Sequence, residues 1–220
     1  MSTPAPVRAV ISDFGGVLTT PLLNSFGAIQ DEIGIDAGAL GRAMQRIADR
    51  DGEHPLYELE RGRIAEPDFL GALQRELAVD LGHEPELHRF ADIYFEALDV
   101  NEPMIGVMRS ARSRGYRMAL LTNNVREWEP HWRAMVPVDQ IFEVIVDSGF
   151  VGMRKPEPEI YELTVERLDD GIGPADCLFV DDVEVNVDTA RELGMRAVHF
   201  RDNEQAIPEI EAALDGGPPA

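Results

Sequence analysis

Short apolar runs that stop on polar groups, with helix-patterned stretches between them, constrain this chain more than any other feature. Val7 to Ile11, Arg117 to Leu121, Phe142 to Val146, Cys177 to Val180 and Arg196 to Phe200 are brief and largely apolar, the pattern of strands buried on both faces. Between them, Ile105 to Arg114 reads as a helix ended by Gly115, Pro158 to Arg167 as another, and Val185 to Leu193 as one capped by Gly194. Ile207 to Leu214 predicts a closing helix, with a loose tail over 215–220. Strands and helices in alternation argue for a parallel α/β sheet.

From Leu22 to Val100 the period changes. Leu40, Met44 and Ile47 form one helical stripe, and Phe69, Leu70, Leu73 and Leu77 another, with no strand pattern among them. A purely helical block inside an α/β rhythm predicts an insertion. The expected organisation is a core built from 1–20 and 101–220, interrupted by a helical cap over 21–100.

A length of 220 residues with 44% hydrophobic side chains accommodates one domain carrying such an insertion. Acidic residues outnumber basic ones 41 to 20, and the net charge of −21 repels polyanions. Nucleic acid and anionic membrane surfaces are therefore not expected partners. A small anionic substrate meets the same repulsion, so its site needs a metal or a lysine. Cys177 lies within an apolar run and reads as a core residue. No apolar run approaches the roughly 20 residues that span a bilayer, and the N-terminus lacks a basic segment followed by an apolar one, so the expected location is cytoplasmic.

Ligands of open parallel sheets bind beyond the carboxyl ends of the strands. Three predicted strands here end on Asp13, on Thr122-Asn123 and on Asp181-Asp182, and Arg154-Lys155-Pro156 precedes a helix. Carboxylates, a hydroxyl and a lysine sharing one crevice suit phosphoryl transfer, where the charge on an attacking carboxylate and on the phosphate must be offset. Asp13 and Asp182 offer the oxygen ligands that Mg2+ prefers. Lys155 can neutralise charge, the Thr122 hydroxyl can donate to phosphate oxygens, and Gly15 and Gly16 let the backbone approach closely.

With Asp13-Phe14-Gly15-Gly16-Val17-Leu18-Thr19, Thr122-Asn123-Asn124, Lys155-Pro156 and Asp181-Asp182 in that order, the chain resembles the haloacid dehalogenase superfamily over nearly its whole length. The resemblance implies a doubly wound, Rossmann-like parallel-sheet core with an α-helical cap inserted between the first two motifs. Ser148-Gly149, Gly152-Met153-Arg154-Lys155-Pro156 and Asp181-Asp182-Val183-Glu184-Val185-Asn186 are similar to the subgroup containing the phosphatase domain of soluble epoxide hydrolase and bacterial sugar-phosphate phosphatases. Carried across, Asp13 is the expected nucleophile, Thr122 and Asn123 bind phosphate with Gly16 beside them, and Lys155 neutralises charge. Asp182 and the Gly15 carbonyl are expected to hold magnesium with Asp13, while Asp181 stands behind the metal or shares it. The implied activity is a magnesium-dependent phosphatase acting on a small phosphorylated metabolite.

One position departs from the family pattern. Its phosphatases usually carry an aspartate two residues after the nucleophile as general acid and base, where this chain has Gly15. That role is worth roughly 10²–10⁴-fold in rate. Either the substrate has a good leaving group, or the cap supplies an acid from His54, Glu58 or Glu60. Two rival functions stay open: a phosphate- and metal-binding regulatory protein without turnover, and carbon–halogen hydrolysis. The spacing of Trp128 and Trp132 predicts a shared helical face, read as packing. Arg61 and Arg63 read as ion-pairing residues as readily as substrate contacts.

Overall fold

Val10, Ile11, Leu120, Leu121, Phe179 and Val180 are all fully buried, because the strands that carry them are covered on both faces. The computed structural model describes residues 6–21 and 23–215; Leu22 and the predicted tail from 216 onward lie outside the described residues. In chain order, β1 (Ala9–Ser12) leads to α1 (Leu23–Ile33), α2 (Ala37–Asp51), α3 (Pro55–Glu60), α4 (Glu66–Leu81) and α5 (Phe90–Glu96). There follow α6 (Glu102–Ser113), β2 (Arg117–Thr122), α7 (Glu129–Met135), α8 (Val138–Ile141), β3 (Val144–Asp147) and α9 (Ser148–Val151). The chain continues with α10 (Pro158–Leu168), β4 (Cys177–Asp181), α11 (Glu184–Glu192), β5 (Arg196–His199) and α12 (Asn203–Ala213).

All strand pairs are parallel, and the sheet order is β3-β2-β1-β4-β5. Alternate residues of each strand face opposite layers. Val10, Met118, Leu120 and Leu178 pack with Met104 and Met108 of α6 and Ile210 of α12. Ala9, Ile11, Leu121 and Phe179 pack with Ile160, Tyr161 and Val165 of α10 and Ala190 of α11. The sheet is thus doubly wound, and its order reverses between β1 and β4, where Asp13 and Asp181 emerge side by side.

Helices α1 to α5 form a separate core around Leu40, Phe69, Leu73, Leu77 and Phe90, joined from the sheet side by Val125 and Trp128. Asp36 starts α2 by accepting the Ala39 N–H at 2.9 Å, and Gly52, at φ 82°, ends it. Chain entry and exit run side by side: Thr19 bridges Val100, Thr20 N–H donates to the Asp99 carbonyl, and Asn101 N–H to that of Leu18, both at 2.8 Å.

Several expectations need correction, among them the start of α6, which lies at Glu102 and not Ile105, with Pro103 in its first turn. β3 begins at Val144, not Phe142, because Phe142 N–H closes α8 on the Val138 carbonyl at 2.8 Å. The last helix begins at Asn203, four residues earlier than Ile207, since the Asp202 carboxylate caps it through Gln205 N–H at 2.8 Å and the helix continues through Pro208. Trp128 and Trp132 do not share a face. Trp128 closes a 3₁₀ turn before Pro130 starts α7, so Trp128 packs among the inserted helices while Trp132 packs on Phe14 at 5.5 Å. Arg61 forms an ion pair across to Glu157, and Arg63 pairs with Glu58 at 2.9 Å.

Candidate active site

Lys155 is 1% exposed, and its Nζ lies 2.7 Å from Asp13 Oδ1 and 2.6 Å from Asp181 Oδ2. Asp13 is set by β1, whose register is continued by the Asp13 N–H donating to the Val180 carbonyl at 2.9 Å. Burial pulls the Lys155 pKa down, but Asp13 and Asp181 outweigh it and the net shift is upward, so the ammonium stays charged. The other oxygen of Asp181 accepts from Val183 N–H at 2.8 Å and from Asn186 Nδ2 at 3.0 Å. Both Asp181 oxygens are therefore engaged by the protein, and this residue fixes the lysine. Asn123 holds the same lysine from its backbone: Oδ1 accepts the Lys155 N–H at 2.8 Å and Nδ2 donates to the Lys155 carbonyl at 3.0 Å. Thr122, 2% exposed, closes β2 beside this strut.

Carboxylate oxygens of Asp13, Asp181 and Asp182 lie within 4.8 Å of one another. Burial, with Asp181 and Asp182 adding to it and Lys155 opposing, pushes the Asp13 carboxyl up to about 8. Burial and Asp181 push Asp182 up to about 6. Three acids against one cation leave a deficit of positive charge, and hard oxygen donors at this spacing fit a magnesium ion. Without the ion, ionising these groups costs stability, so their contribution is fully present below about pH 4 and is lost as pH rises through about 6 for Asp182 and about 8 for Asp13. Magnesium should therefore raise the melting temperature much more at about pH 8 than at about pH 5. Equal shifts at the two pH values, measured by thermal denaturation with and without the ion, would contradict the cluster as its site.

Gly16 makes this approach possible. Its φ is +75°, and a Cβ built there would stand 2.1 Å from Asp182 Oδ2. Gly16→Ala should displace Asp182 and destabilise the fold by about 1–3 kcal/mol, through backbone strain. An unchanged melting temperature together with unchanged magnesium affinity would remove that role.

Beyond the carboxylates, a cavity of about 160 Å³ runs from Gly15, Thr122 and Asn123 into the inserted helices, bordered there by Leu40, Met44, Leu73 and Trp128. Glu60 borders it too, with its carboxylate 2.6 Å from Arg154 Nε. Burial raises the Glu60 pKa, with Arg154 opposing. Of the three candidate acids in the insertion, Glu60 alone lines this cavity; Glu58 pairs with Arg61 and Arg63, and His54 stacks on Tyr57 at 4.6 Å.

A family model described as haloacid dehalogenase-like hydrolase matches residues 7–194, a span holding every motif residue of this site. The chain belongs to that family. As a haloacid dehalogenase-like hydrolase it is 27% identical over 217 residues to bifunctional epoxide hydrolase 2 of Sus scrofa, covering 93% of this chain but only 38% of the relative. It is 27% identical to a D-ribitol-5-phosphate phosphatase of Bacteroides thetaiotaomicron, over 86% of this chain and 89% of that one. A solved family enzyme from Bacteroides thetaiotaomicron, in complex with magnesium and inorganic phosphate, shares the fold: TM-score 0.65, 22% identity, covering 90% of this chain and 96% of that one.

Some members of the site carry no sequence signal strong enough to assign them. Asn186 reaches Asp181 from α11, and Ser148 Oγ accepts the Asn124 N–H at 2.9 Å, steadying the turn after β2. Asn186 lies inside the last motif, yet only the start of α11 turns it back toward β4 and gives it a role. Cys177 is buried with its thiol pushed up to about 12 by burial, which keeps it out of nucleophilic chemistry near neutral pH. Among the described residues no helix is long and apolar enough to cross a membrane.

Proposed function

We propose that this hydrolase is a magnesium-dependent phosphatase of a small phosphomonoester, working through a covalent aspartyl-phosphate on Asp13, with residues 21–100 as a cap over the crevice. The observation that carries the reading is the fully buried Lys155 clamped between Asp13 and Asp181. A lysine fixed there orients the nucleophile and offsets charge without occupying its second oxygen. That oxygen attacks phosphorus, and the ester P–O bond breaks as the Asp13–phosphorus bond forms. The alcohol leaves as an alkoxide that takes a proton, and water then attacks phosphorus to release inorganic phosphate and restore Asp13. Magnesium, held by Asp13 and Asp182 with the Gly15 carbonyl, would supply the charge that lets two anions meet. The Thr122 hydroxyl and neighbouring backbone N–H groups receive the phosphate oxygens.

Gly15 leaves the departing alkoxide without a proton donor at the family's usual place. Rates in a phosphate ester series should therefore fall steeply as the leaving-group pKa rises, and Gly15→Asp should flatten that dependence while raising the slow members by about 10²-fold or more. Gly15 is not among the residues at positive φ, so no left-handed backbone conformation opposes a side chain there. Turnover measured on such a series with and without magnesium tests the whole reading. Magnesium-dependent phosphate binding with no turnover of any ester would instead favour the regulatory binding protein that Gly15 also permits.

A further inference from the structure

The cavity beside the proposed site has a chemical character of its own. Apart from its mouth at Gly15, Thr122, Asn123 and Asn124, its walls are aliphatic and aromatic, with Glu60 as the one acid. No Lys, Arg or His is among the described residues that line it, so nothing there meets a second anionic group on a substrate. Of the polar groups that border it, the Tyr94 hydroxyl and one Glu60 oxygen stay available, and the others are largely taken. Both ends of the Asn123 amide are bound to Lys155, and Asn124 Oδ1 accepts the Val125 N–H at 2.9 Å. Trp128 Nε1 donates to Glu66 Oε1 at 2.6 Å, and Glu60 is held by Arg154 at 2.6 Å. A polyol entering this space would leave water for few partners, and each unmatched hydroxyl weakens binding by roughly 5- to 150-fold.

We infer that the phosphomonoester taken by this site is the ester of an apolar alcohol, whose hydrocarbon part fills the cavity between the nucleophile and α2, α4 and α5. The inference rests on the phosphatase reading for where the phosphate goes, and on the cavity lining for the nature of the alcohol. Polyol phosphates, bisphosphates and phosphorylated carboxylic acids fit poorly. Apolar contact with Leu40, Met44 and Leu73 then supplies selectivity, while the charged groups act only on the phosphate.

Two measurements on the full chain with magnesium decide it. The first is calorimetric binding of n-alkylphosphonates from methyl to octyl, which need no turnover. Affinity should rise about fourfold per methylene until the cavity is full. A hydroxylated phosphonate of equal length should bind at least about 50-fold more weakly than its alkyl counterpart, in line with unmatched hydroxyls. Met44→Trp should shift the preferred chain to shorter members. Flat affinity along the wild-type series, or a preference for the hydroxylated analogue, would overturn the inference and make the space a packing void. The second measurement is magnesium-dependent hydrolysis of phenyl phosphate, whose alcohol is both apolar and a good leaving group. Its absence would end the phosphatase reading, while the phosphonate series would still decide the character of the cavity.

Discussion

Asp13→Asn should abolish turnover, with a fall on the order of 10⁴- to 10⁶-fold, while leaving the fold intact. An amide oxygen cannot form the covalent intermediate, and Asp181 cannot take over, because both its oxygens are engaged by Lys155, Val183 and Asn186. The structural consequence runs the other way. Asp13 is an acid whose ionised form is disfavoured by burial and by two neighbouring carboxylates, so removing its charge relieves the cluster. Above about pH 8, and without magnesium, the variant should melt no lower than the parent. Phosphate ester turnover and thermal denaturation check both halves. Activity persisting in this variant would dismiss Asp13 as the nucleophile, whereas a collapsed melting temperature would show that Asp13 is needed chiefly for folding.

Lys155→Met should fail on both counts. The methionine has similar length but no charge, so Asp181, at 0% exposure, is left buried without its cation. Breaking a buried pair from one side costs about 3–5 kcal/mol. For a chain of this size that lowers the melting temperature by roughly 10 °C. Turnover should fall by at least about 10³-fold, because Asp13 loses both its orientation and its neutralising partner. The stability loss should shrink toward about pH 5, where the stranded carboxylates take up protons. A variant equally destabilised at every pH would mean that packing, and not the ion pairs, is what Lys155 provides.

Much of the architecture was legible because burial on two faces writes itself into sequence as short continuous apolar runs. The strand at Cys177 and the helix at Pro158 stand within one residue of their predicted limits. Boundaries moved where a local hydrogen bond, not hydrophobic pattern, decides them: Asp202 starts α12 early, and Val138 draws Phe142 out of β3. Trp128 and Trp132 part for a related reason. Helical spacing does not run through a segment that a 3₁₀ turn and Pro130 divide.

By itself the sequence determined the order of strands and helices, the all-helical stretch inside it, and a set of acids, a hydroxyl and a lysine at strand ends. Those come from periodicity and from residue chemistry, which are local. Only the tertiary structure decided how those groups divide their work. Parallel pairing of β1 with β4 puts Asp13 and Asp181 on either side of Lys155, which commits Asp181 to the lysine and Asn123 to its backbone. The absence of a side chain at Gly16 decides how near Asp182 stands, and the seating of Trp128 among the inserted helices decides that the space above Gly15 is apolar. Such assignments depend on distances between segments remote in the chain, and no local pattern records them.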